Sequence, residues 1–156
     1  MERATVDHVL AQRLDGPGGS AIELGDGAGL ALVAHVTVSD AQAGVRVGTP
    51  IDSVTIRDSI FSMVSGAAVD NHVANAAIPV AWFALDRAGA PLNVVAEGVL
   101  ADERCLDPFS EDLALLAGSA CVDAGSPDLP CGDEPGGVNC RLDLGHLGGT
   151  VAAQAR

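Results

Sequence analysis

The fold is decided by three stretches that can be laid over one another: Ala4-Thr5-Val6-Asp7-His8-Val9, Leu32-Val33-Ala34-His35-Val36 and Thr55-Ile56-Arg57-Asp58-Ser59. Their apolar residues Val6, Val33 and Ile56 fall in one row of this alignment. Their polar residues His8, His35 and Asp58 fall in a second row. The offsets from 6 to 33 and from 33 to 56 are 27 and 23 residues. A nearly constant period of this kind is typical of a solenoid, in which each coil stacks on the one before it.

A second short segment follows each stretch and also recurs. These segments are Gly19-Ser20-Ala21-Ile22, Gly44-Val45-Arg46-Val47 and Gly66-Ala67-Ala68-Val69. Aligning them on their glycines gives offsets of 25 and 22 residues. Residues 78–84 look like the start of a fourth coil. Because one coil is too small to bury its own apolar face, we expect the coils to share a continuous core of Val, Ile and Ala.

The composition excludes several classes of protein. The chain has 156 residues, a formal net charge of -13 and no Lys. Such a surface repels phosphate, so nucleic acid is not an expected partner. A content of 48% hydrophobic residues is too high for a disordered acidic tail. The longest uncharged runs hold 13 residues. Since a membrane-spanning helix needs about 20 apolar residues, no membrane span is expected.

The last third of the chain carries motifs that resemble a known family. The run Gly118-Ser119-Ala120-Cys121-Val122-Asp123-Ala124-Gly125-Ser126-Pro127 is similar to the "SPaIDaGdP" motif that closes many bacterial right-handed parallel β-helix proteins. Residues 101–115 resemble the lead-in of that family, and residues 134–150 resemble its "EP…GgRvDiGAyGgT" ending. The family is the pectate-lyase-like surface or secreted proteins of the choice-of-anchor Q type. The chain departs from it at Gly145-His146-Leu147, where the family usually has an aromatic residue.

The resemblance and the repeats together predict the fold class and the domain organisation. We expect an all-β protein, a right-handed parallel β-helix of about three to four coils with a loop-rich C-terminal cap. Residues 1–100 would form the coils, residues 101–150 the ending of the same domain, and residues 151–156 a tail. Helical periodicity is weak throughout. The strongest helix candidate is at residues 111–116, and it fits a single turn equally well.

The resemblance also implies a larger protein. Members of this family normally carry many coils and an export signal before the ending, and the charged N-terminus here does not read as such a signal. We therefore predict that Met1 is an internal or misassigned start. The alternatives are that residues 1–18 form a cap, or that two chains associate end to end through an uncapped apolar coil. The implied location is extracellular or on the outer surface of the cell.

Four cysteines cluster in the last third of the chain: Cys105, Cys121, Cys131 and Cys140. In a family of exported proteins, an even number of cysteines indicates disulfides. Several pairings are possible, and we favour the pairs that are local in sequence, Cys105–Cys121 and Cys131–Cys140. A zinc site is one alternative, although it usually needs more closely spaced cysteines. Unpaired buried cysteines are the other alternative.

Three further groups of polar residues invite an interpretation. In the motif, Asp123 and Arg141 are expected to form an ion pair that pins the terminal loop to the last coil. We interpret His8, His35 and Asp58 as a stacked polar ladder. No cofactor is required by either group. A Ca²⁺ site is the weaker alternative for the acidic residues of the ending: Asp123, Asp128, Asp133, Glu134 and Asp143.

No spacing in the sequence selects catalytic residues. The conceivable bases and acids are Arg46, Arg57, Arg87, Asp58 and Asp70, and surface charge on the corners of the coils explains all of them. We expect a non-catalytic β-helix segment of a secreted or cell-surface bacterial protein, either structural or carbohydrate-recognising. Its expected partner is an extracellular polysaccharide or a component of the cell envelope. The alternatives are a fragment of a polysaccharide lyase or glycoside hydrolase, with its cleft in other coils, and a cation-dependent adhesin.

Overall fold

The computed structural model shows an all-β protein built from two parallel sheets. It describes residues 3–14, 19–25, 29–49, 51–73, 77–101, 104–106, 113–116, 118–129, 141–148 and 150. These residues contain no helix, and so none that could cross a membrane. The weak helix candidate at 111–116 is not helical in its described part, where Leu115 instead forms an antiparallel bridge with Leu106.

The chain alternates between the two sheets and thereby winds into a β-solenoid of about three turns. The long sheet contains, in spatial order, β1 (Arg3–Leu14), β3 (Leu30–Ala41), β5 (Ser53–Val64), β7 (Ile78–Asp86) and β8 (Val94–Ala101). The short sheet contains β2 (Ser20–Leu24), β4 (Ala43–Val47) and β6 (Val69–Asn71). All pairs of neighbouring strands are parallel. The predicted short parallel β-helix is therefore confirmed.

The register of the long sheet confirms the first repeat of the sequence. Val6 pairs with Val33, Val33 with Ile56, and Ile56 with Val80. These side chains alternate with outward ones, and those of Val33, Ile56 and Val80 are completely buried between the sheets. The predicted fourth coil is confirmed by the pairing of β7 with β5. A fifth strand, β8, extends the sheet beyond it.

The predicted register of the short sheet was wrong by two residues. Ile22 pairs with Val45, and Val45 pairs with Val69, so the offsets are 23 and 24 residues. Gly44 is therefore level with Ala68 and not with Gly66. Position 44 requires a glycine for steric reasons, because a Cβ atom there would strike the carbonyl oxygen of Ala68 and the ring of Phe61. A shift of two residues keeps the same face of a strand inward, so the core is unaffected.

The strands β1, β3 and β5 are each bent twice by residues with positive φ, and β7 is bent once within the strand and once at the residue that follows it. The first bends stack into a row, which we call the first corner row: His8, His35, Asp58, Trp82 and, on β8, Gly98. The second bends stack five residues later into the second corner row: Arg13, Asp40, Met63 and Arg87. The left-handed conformation is costly for residues other than glycine. Because it recurs at equivalent positions of successive coils, it is a regular structural feature of the solenoid.

Burial is concentrated in the middle coils. Val33, Val36 and Val38 on β3 are fully buried, and the rings of Phe61 and Phe83 pack edge to face with centroids 6.4 Å apart. By contrast, β1 and β8, which form the two edges of the long sheet, contain no fully buried residue. Edge coils contact a neighbour on one side only, and for this reason their inward residues are less covered.

The C-terminal segment lies along the flank of the solenoid. Residues 141–148, which we call the C-terminal strap, cross the coils in the direction opposite to the winding of the chain. The strap begins beside Trp82, passes Asp58 and Thr37, and reaches His8 at Gly148. It is therefore the segment that covers the first corner row.

A disulfide bond anchors the segment that precedes the strap. Cys105 and Cys121 are bonded and buried, with their Cα atoms 5.6 Å apart, so this predicted pair is confirmed. Main-chain hydrogen bonds continue the connection, since the amide of Leu144 in the strap donates to the carbonyl oxygen of Cys121. The second predicted pair, Cys131 with Cys140, lies outside the described residues.

Candidate functional site

One carboxylate and two imidazoles come together at the β1 end of the first corner row. Oδ1 of Asp7 lies 2.9 Å from Nδ1 of His35 and 3.1 Å from Nδ1 of His8. The two rings are stacked, with centroids 4.7 Å apart and planes inclined by 29°. In the described part of the chain, these three residues form the only group of at least three potential metal ligands, with one ligating atom from each within 4.8 Å of the others.

The strands explain why these residues meet. His8 and His35 occupy equivalent bends on β1 and β3, and histidine is one of the residue types that tolerate positive φ. Asp7 precedes the bend and points outward, because Val6 points into the core. Nε2 of His8 lies 2.8 Å from the carbonyl oxygen of Gly148 in the strap. The predicted stacking of His8 and His35 is thus present, and Asp7 adds an acidic group to it.

The electrostatics of this group favour a charged Asp7. Burial alone would raise the pKa of the Asp7 carboxyl. The hydrogen bond with His35 and the interaction with His8 outweigh burial and hold this pKa below its ordinary value. The side chain of Asp7 is 42% exposed and that of His8 is 39% exposed, whereas that of His35 is only 10% exposed. The Asp7 carboxylate is therefore accessible to solvent, whereas His35, on the inner side of the group, is largely shielded from it.

Asp58, the third member of the predicted ladder, is buried and hydrogen-bonded to the main chain of a covering loop. Its side chain is completely buried, and Oδ1 accepts a hydrogen bond of 2.6 Å from the amide of Ser126. Burial raises the pKa of Asp58, and this hydrogen bond and the nearby charges of His35, Arg57 and Arg141 only partly oppose that rise. The segment around Ser126 covers the carboxyl, so a large substrate has no direct access to it.

Arg141 fixes the start of the strap to the preceding loop. Its guanidinium donates hydrogen bonds to the carbonyl oxygens of Gly125 and Ala124, and it lies 4.7 Å from the ring of Trp82. The stack on Trp82 is a cation–π contact. Arg141 therefore pins the loop through the main-chain carbonyl groups of Ala124 and Gly125. The predicted ion pair with the Asp123 carboxylate stays a prediction.

A cleft lies beside this contact. Its volume is about 320 Å³, and Trp82, Gly98, Asp123 and Arg141 contribute to its lining. Gly98 has a positive φ of 60°, and a Cβ atom there would overlap the ring of Trp82. The ring therefore occupies the place that a side chain on β8 would otherwise fill. The Arg141 guanidinium lies over the same ring and forms one wall of the cleft.

The outward side of the long sheet before the first bends, which we call the outer face, is open and nearly flat. Its residues alternate with the core residues of the same strands: Arg3, Thr5, Asp7, Leu30, Leu32, Ala34, Ser53, Thr55, Arg57, Pro79, Ala81, Val95 and Glu97. A shallow groove of about 310 Å³ runs across it between Arg3, Leu32 and Thr55. The face therefore mixes hydroxyl groups, alanines and separate charges with larger apolar side chains, of which Leu30 and Val95 are 39% and 64% exposed.

The conceivable catalytic residues are not brought together. Arg57 and Asp58 lie on β5 of the long sheet, whereas Arg46 and Asp70 lie on the short sheet. In each of these pairs, Nε of the arginine is 3.7 Å from Oδ2 of the aspartate. Arg87, in the second corner row, interacts with its neighbour Asp86 at 3.0 Å. The contacts of Arg46, Asp70 and Arg87 match the expected role of charges on the surfaces of coils. For Asp58 that expectation was wrong, because its side chain is completely buried.

The acidic residues of the ending do not form a calcium site in the described part of the chain. Asp143 is completely buried, and its Oδ1 accepts a 2.8 Å hydrogen bond from the amide of Asp123. Asp128 is exposed on the preceding loop. Asp133 and Glu134 lie outside the described residues. The carboxylate of Asp143 therefore serves the connection between the strap and the loop.

Sequence reasoning missed Asp7 and the strap contact. Asp7 aligns with Ala34 and Arg57 in the other coils, so the repeat itself gives no signal for it. Gly148 meets His8 across 140 residues of sequence, a separation at which no local pattern is informative. Comparison with models of protein families, with curated proteins and with solved structures found no match to the chain.

Proposed function

We propose that the chain is a non-catalytic β-helix segment of a secreted or cell-surface bacterial protein, and that its outer face binds an extended, neutral polysaccharide. The observation that carries the proposal is the character of this face, which presents hydroxyl groups, exposed apolar side chains and isolated charges over successive coils. A flat parallel sheet offers a regular series of positions, because neighbouring strands are about 4.8 Å apart. An extended polymer can contact such a surface along its whole length.

The position of the carboxylates favours a binding module over a glycosidase. The carboxylates among the described residues of the outer face are Asp7 and Glu97, on the two edge strands of the sheet. Four strand spacings separate β1 from β8, which corresponds to roughly 19 Å. The two carboxyl groups of a glycosidase are separated by about 5 to 9.5 Å. This face therefore lacks the arrangement that hydrolysis of a glycosidic bond requires.

The distribution of charge favours a neutral polymer. The whole chain has a formal net charge of -13, which repels polymers rich in uronic acids. On the outer face, by contrast, Arg3 and Arg57 balance Asp7 and Glu97. Arg57 lies on the middle strand, and its side chain is 27% exposed, so its guanidinium can donate hydrogen bonds to sugar hydroxyl groups.

The disulfide supports the proposed location. Cys105–Cys121 is a buried bond in a loop-rich segment, and structural disulfides are characteristic of exported proteins. The resemblance of the ending to surface proteins points in the same direction. Both arguments concern the compartment, and the carbohydrate proposal rests on the outer face alone.

A pair of matched arginine variants tests the proposal. Arg57 and Arg46 have similar exposure, 27% and 29%, and each has Nε 3.7 Å from an aspartate, but they lie on opposite sheets. Binding of the full chain to a panel of neutral and acidic polysaccharides is measured by affinity electrophoresis. We expect Arg57→Gln to weaken binding to a neutral polymer about tenfold, and Arg46→Gln to leave it unchanged.

Two outcomes would contradict the proposal. Equal losses in the two variants, or no binding of the wild type to any polymer of the panel, would remove the outer face as the binding surface. Release of new reducing ends or of unsaturated products that grows with time would instead favour the enzyme alternative. The same incubations supply that measurement, so one set of samples separates the two functions.

A further inference from the structure

We propose that Asp7, His8 and His35 form a binding site for a divalent transition-metal ion of the zinc type, a site that ties together the first coil, the second coil and the C-terminal strap. The proposal shares only Asp7 with the outer face, and it does not rest on the polysaccharide-binding function. It rests on the distances within the group, on the hydrogen atoms that its contacts require and on the burial of His35.

The distances match those between ligands of one metal ion. Zinc binds histidine nitrogen and carboxylate oxygen at about 2.0 to 2.2 Å in a tetrahedral arrangement, so two of its ligand atoms are roughly 3.3 Å apart. Here Oδ1 of Asp7 lies 3.1 Å from Nδ1 of His8 and 2.9 Å from Nδ1 of His35. Small rotations of the side chains would therefore bring all three atoms to bonding distance of a common ion.

The hydrogen bond between His8 and Gly148 leaves two acceptor atoms facing each other, and a cation between them would remove their repulsion. The carbonyl oxygen of Gly148 can only accept, so Nε2 of His8, at 2.8 Å from it, must carry the hydrogen. A neutral His8 then has its lone pair on Nδ1, directed at the carboxylate oxygen of Asp7 only 3.1 Å away. Two acceptors at this distance repel each other unless a proton or a metal ion lies between them.

His35 has a corresponding mismatch on its other side. Its side chain is 10% exposed, and its Nε2 is buried without a hydrogen-bond partner among the described residues. A histidine that binds a metal through Nδ1 keeps its hydrogen on Nε2, where a carboxylate commonly accepts it. Asp58, on the next coil, is close enough to interact electrostatically with His35, and its Oδ2 is also buried without such a partner.

The donor set selects the class of ion. Two imidazole nitrogens and one carboxylate oxygen suit zinc and its neighbours in the transition series, whereas calcium and magnesium prefer sets made of oxygen alone. The exposed edges of Asp7 and His8 leave the remaining coordination to water. The group is therefore expected to distinguish zinc from calcium, and this expectation separates it from the calcium site considered for the ending.

The backbone contact of His8 gives the site a second role. Ligating histidines usually donate their other N–H to a carbonyl or carboxylate, which fixes the ring and its tautomer. In this chain the acceptor belongs to Gly148, so an ion on Nδ1 of His8 also stabilises the position of the strap. The first coil is the least buried of the coils that contribute to the site, and it gains most from such a cross-link.

Zinc binding to the full chain, with its disulfides intact and any free thiol alkylated, tests the proposal. Isothermal titration should show one zinc ion per chain, and calcium at the same concentration should not compete. His8→Gln and His35→Gln should each weaken zinc binding at least tenfold. The matched control is His72→Gln, because Nε2 of His72 lies 2.7 Å from Asp70 in an exposed pair without a second imidazole. It should leave zinc binding unchanged.

A measurement on the wild type guards against variants that fail to fold. The chain contains four histidines, so the ¹⁵N signals of all its imidazoles can be followed by NMR. Zinc should shift Nδ1 of His8 and His35 and leave the signals of His72 and His146 in place. The proposal is overturned if zinc shifts neither His8 nor His35. It is equally overturned if His8 carries hydrogen on both nitrogens before and after zinc is added, since a proton would then occupy the place assigned to the metal.

Discussion

The two corner rows have the same backbone conformation and entirely different surroundings. In the first corner row, His35 and Asp58 are buried beneath the loop and the C-terminal strap. In the second corner row, all four side chains are exposed: Arg13, Asp40, Met63 and Arg87. The bends recur because every coil must turn at the same place. The residues that occupy the bends are selected by what lies over them.

The covered row is held by hydrogen bonds that connect distant parts of the chain. Ser126 donates to Asp58, and the carbonyl oxygen of Gly148 accepts from His8. At the exposed row the described contact is local, between Arg87 and the preceding Asp86. Substitutions that disturb the covering should therefore be far more damaging than substitutions at exposed bends.

The largest effect is expected where the strap crosses the second and third coils. Gly145 has a φ of 89°, and a Cβ atom there would lie 2.6 Å from Oγ1 of Thr37 and 2.9 Å from Cδ1 of Ile60. Gly145→Ala should lower the free energy of unfolding by about 3 kcal/mol, because it combines backbone strain with overpacking. Urea denaturation followed by circular dichroism measures this change.

Gly118→Ala is the matched control for this variant. Gly118 also has a positive φ, 72°, but nothing lies within 4 Å of the position of its Cβ atom. The control should therefore show the strain alone, about 1 kcal/mol. Equal losses in the two variants would mean that the strap does not pack tightly on the coils, and the contrast between the rows would lose its basis.

An intermediate effect is expected from removing the buried charge of Asp58. The pKa of Asp58 is raised in the folded protein, so its contribution to stability is complete at low pH and declines as the pH rises through the raised value. An asparagine side chain at this position would keep an oxygen for the amide of Ser126 and would stay neutral. Asp58→Asn should therefore gain stability relative to the wild type between acidic and neutral pH, by about 1 kcal/mol at pH 7.

Asp40→Asn supplies the comparison in the exposed row. Asp40 has nearly the same φ as Asp58, 55° against 52°, but its side chain is exposed. Its substitution should change stability by less than about 0.5 kcal/mol. Melting temperatures of both variants and the wild type are measured from pH 4 to pH 7. A gap between Asp58→Asn and the wild type that stays constant across this range would show that the buried carboxyl does not carry the pH dependence.

The smallest effect is expected at the exposed bend of Met63. Its φ is 51° and its side chain is 42% exposed, so the main cost of this residue is its conformation. Met63→Gly should be more stable than Met63→Ala by about 0.5 kcal/mol, because glycine relieves the strain and then loses part of the gain through its more flexible unfolded chain. Urea denaturation of the two variants measures the difference. If alanine is the more stable residue, the bend does not strain the chain as its φ indicates.

The sequence predicted the coils because their signal is local and repeated. Val6, Val33 and Ile56 are β-branched residues at nearly constant spacing, and parallel stacking places all three on the core side of the sheet. The same reasoning was wrong for the short sheet, where Gly44 and Gly66 were aligned as equivalent. Gly44 lacks a side chain because of Phe61 and Ala68, so its identity carries no information about register.

The candidate site was only half visible in the sequence. His8, His35 and Asp58 could be aligned because they are polar residues at one position of the repeat. The row continues to Trp82 and Gly98, which share no chemical property with them and are linked only by the backbone bend. Asp7 has no acidic counterpart in the second and third coils, so the repeat does not indicate it. The contact with Gly148 depends on the path of the strap, and the period of the coils does not encode this path.

The path of the strap affects the cooperativity with which the solenoid folds and unfolds. In an ordinary array of repeats, energetic coupling reaches only the adjacent unit, so such an array can fray from either end. Here the strap contacts His8 and Thr37, at sequence separations of 140 and 109 residues, and the loop before it contacts Asp58 at a separation of 68. Such contacts raise the contact order and slow folding. They also link the first coils into one cooperative unit, which we expect to unfold as a whole. This unit is complete only when the strap has packed over the first corner row.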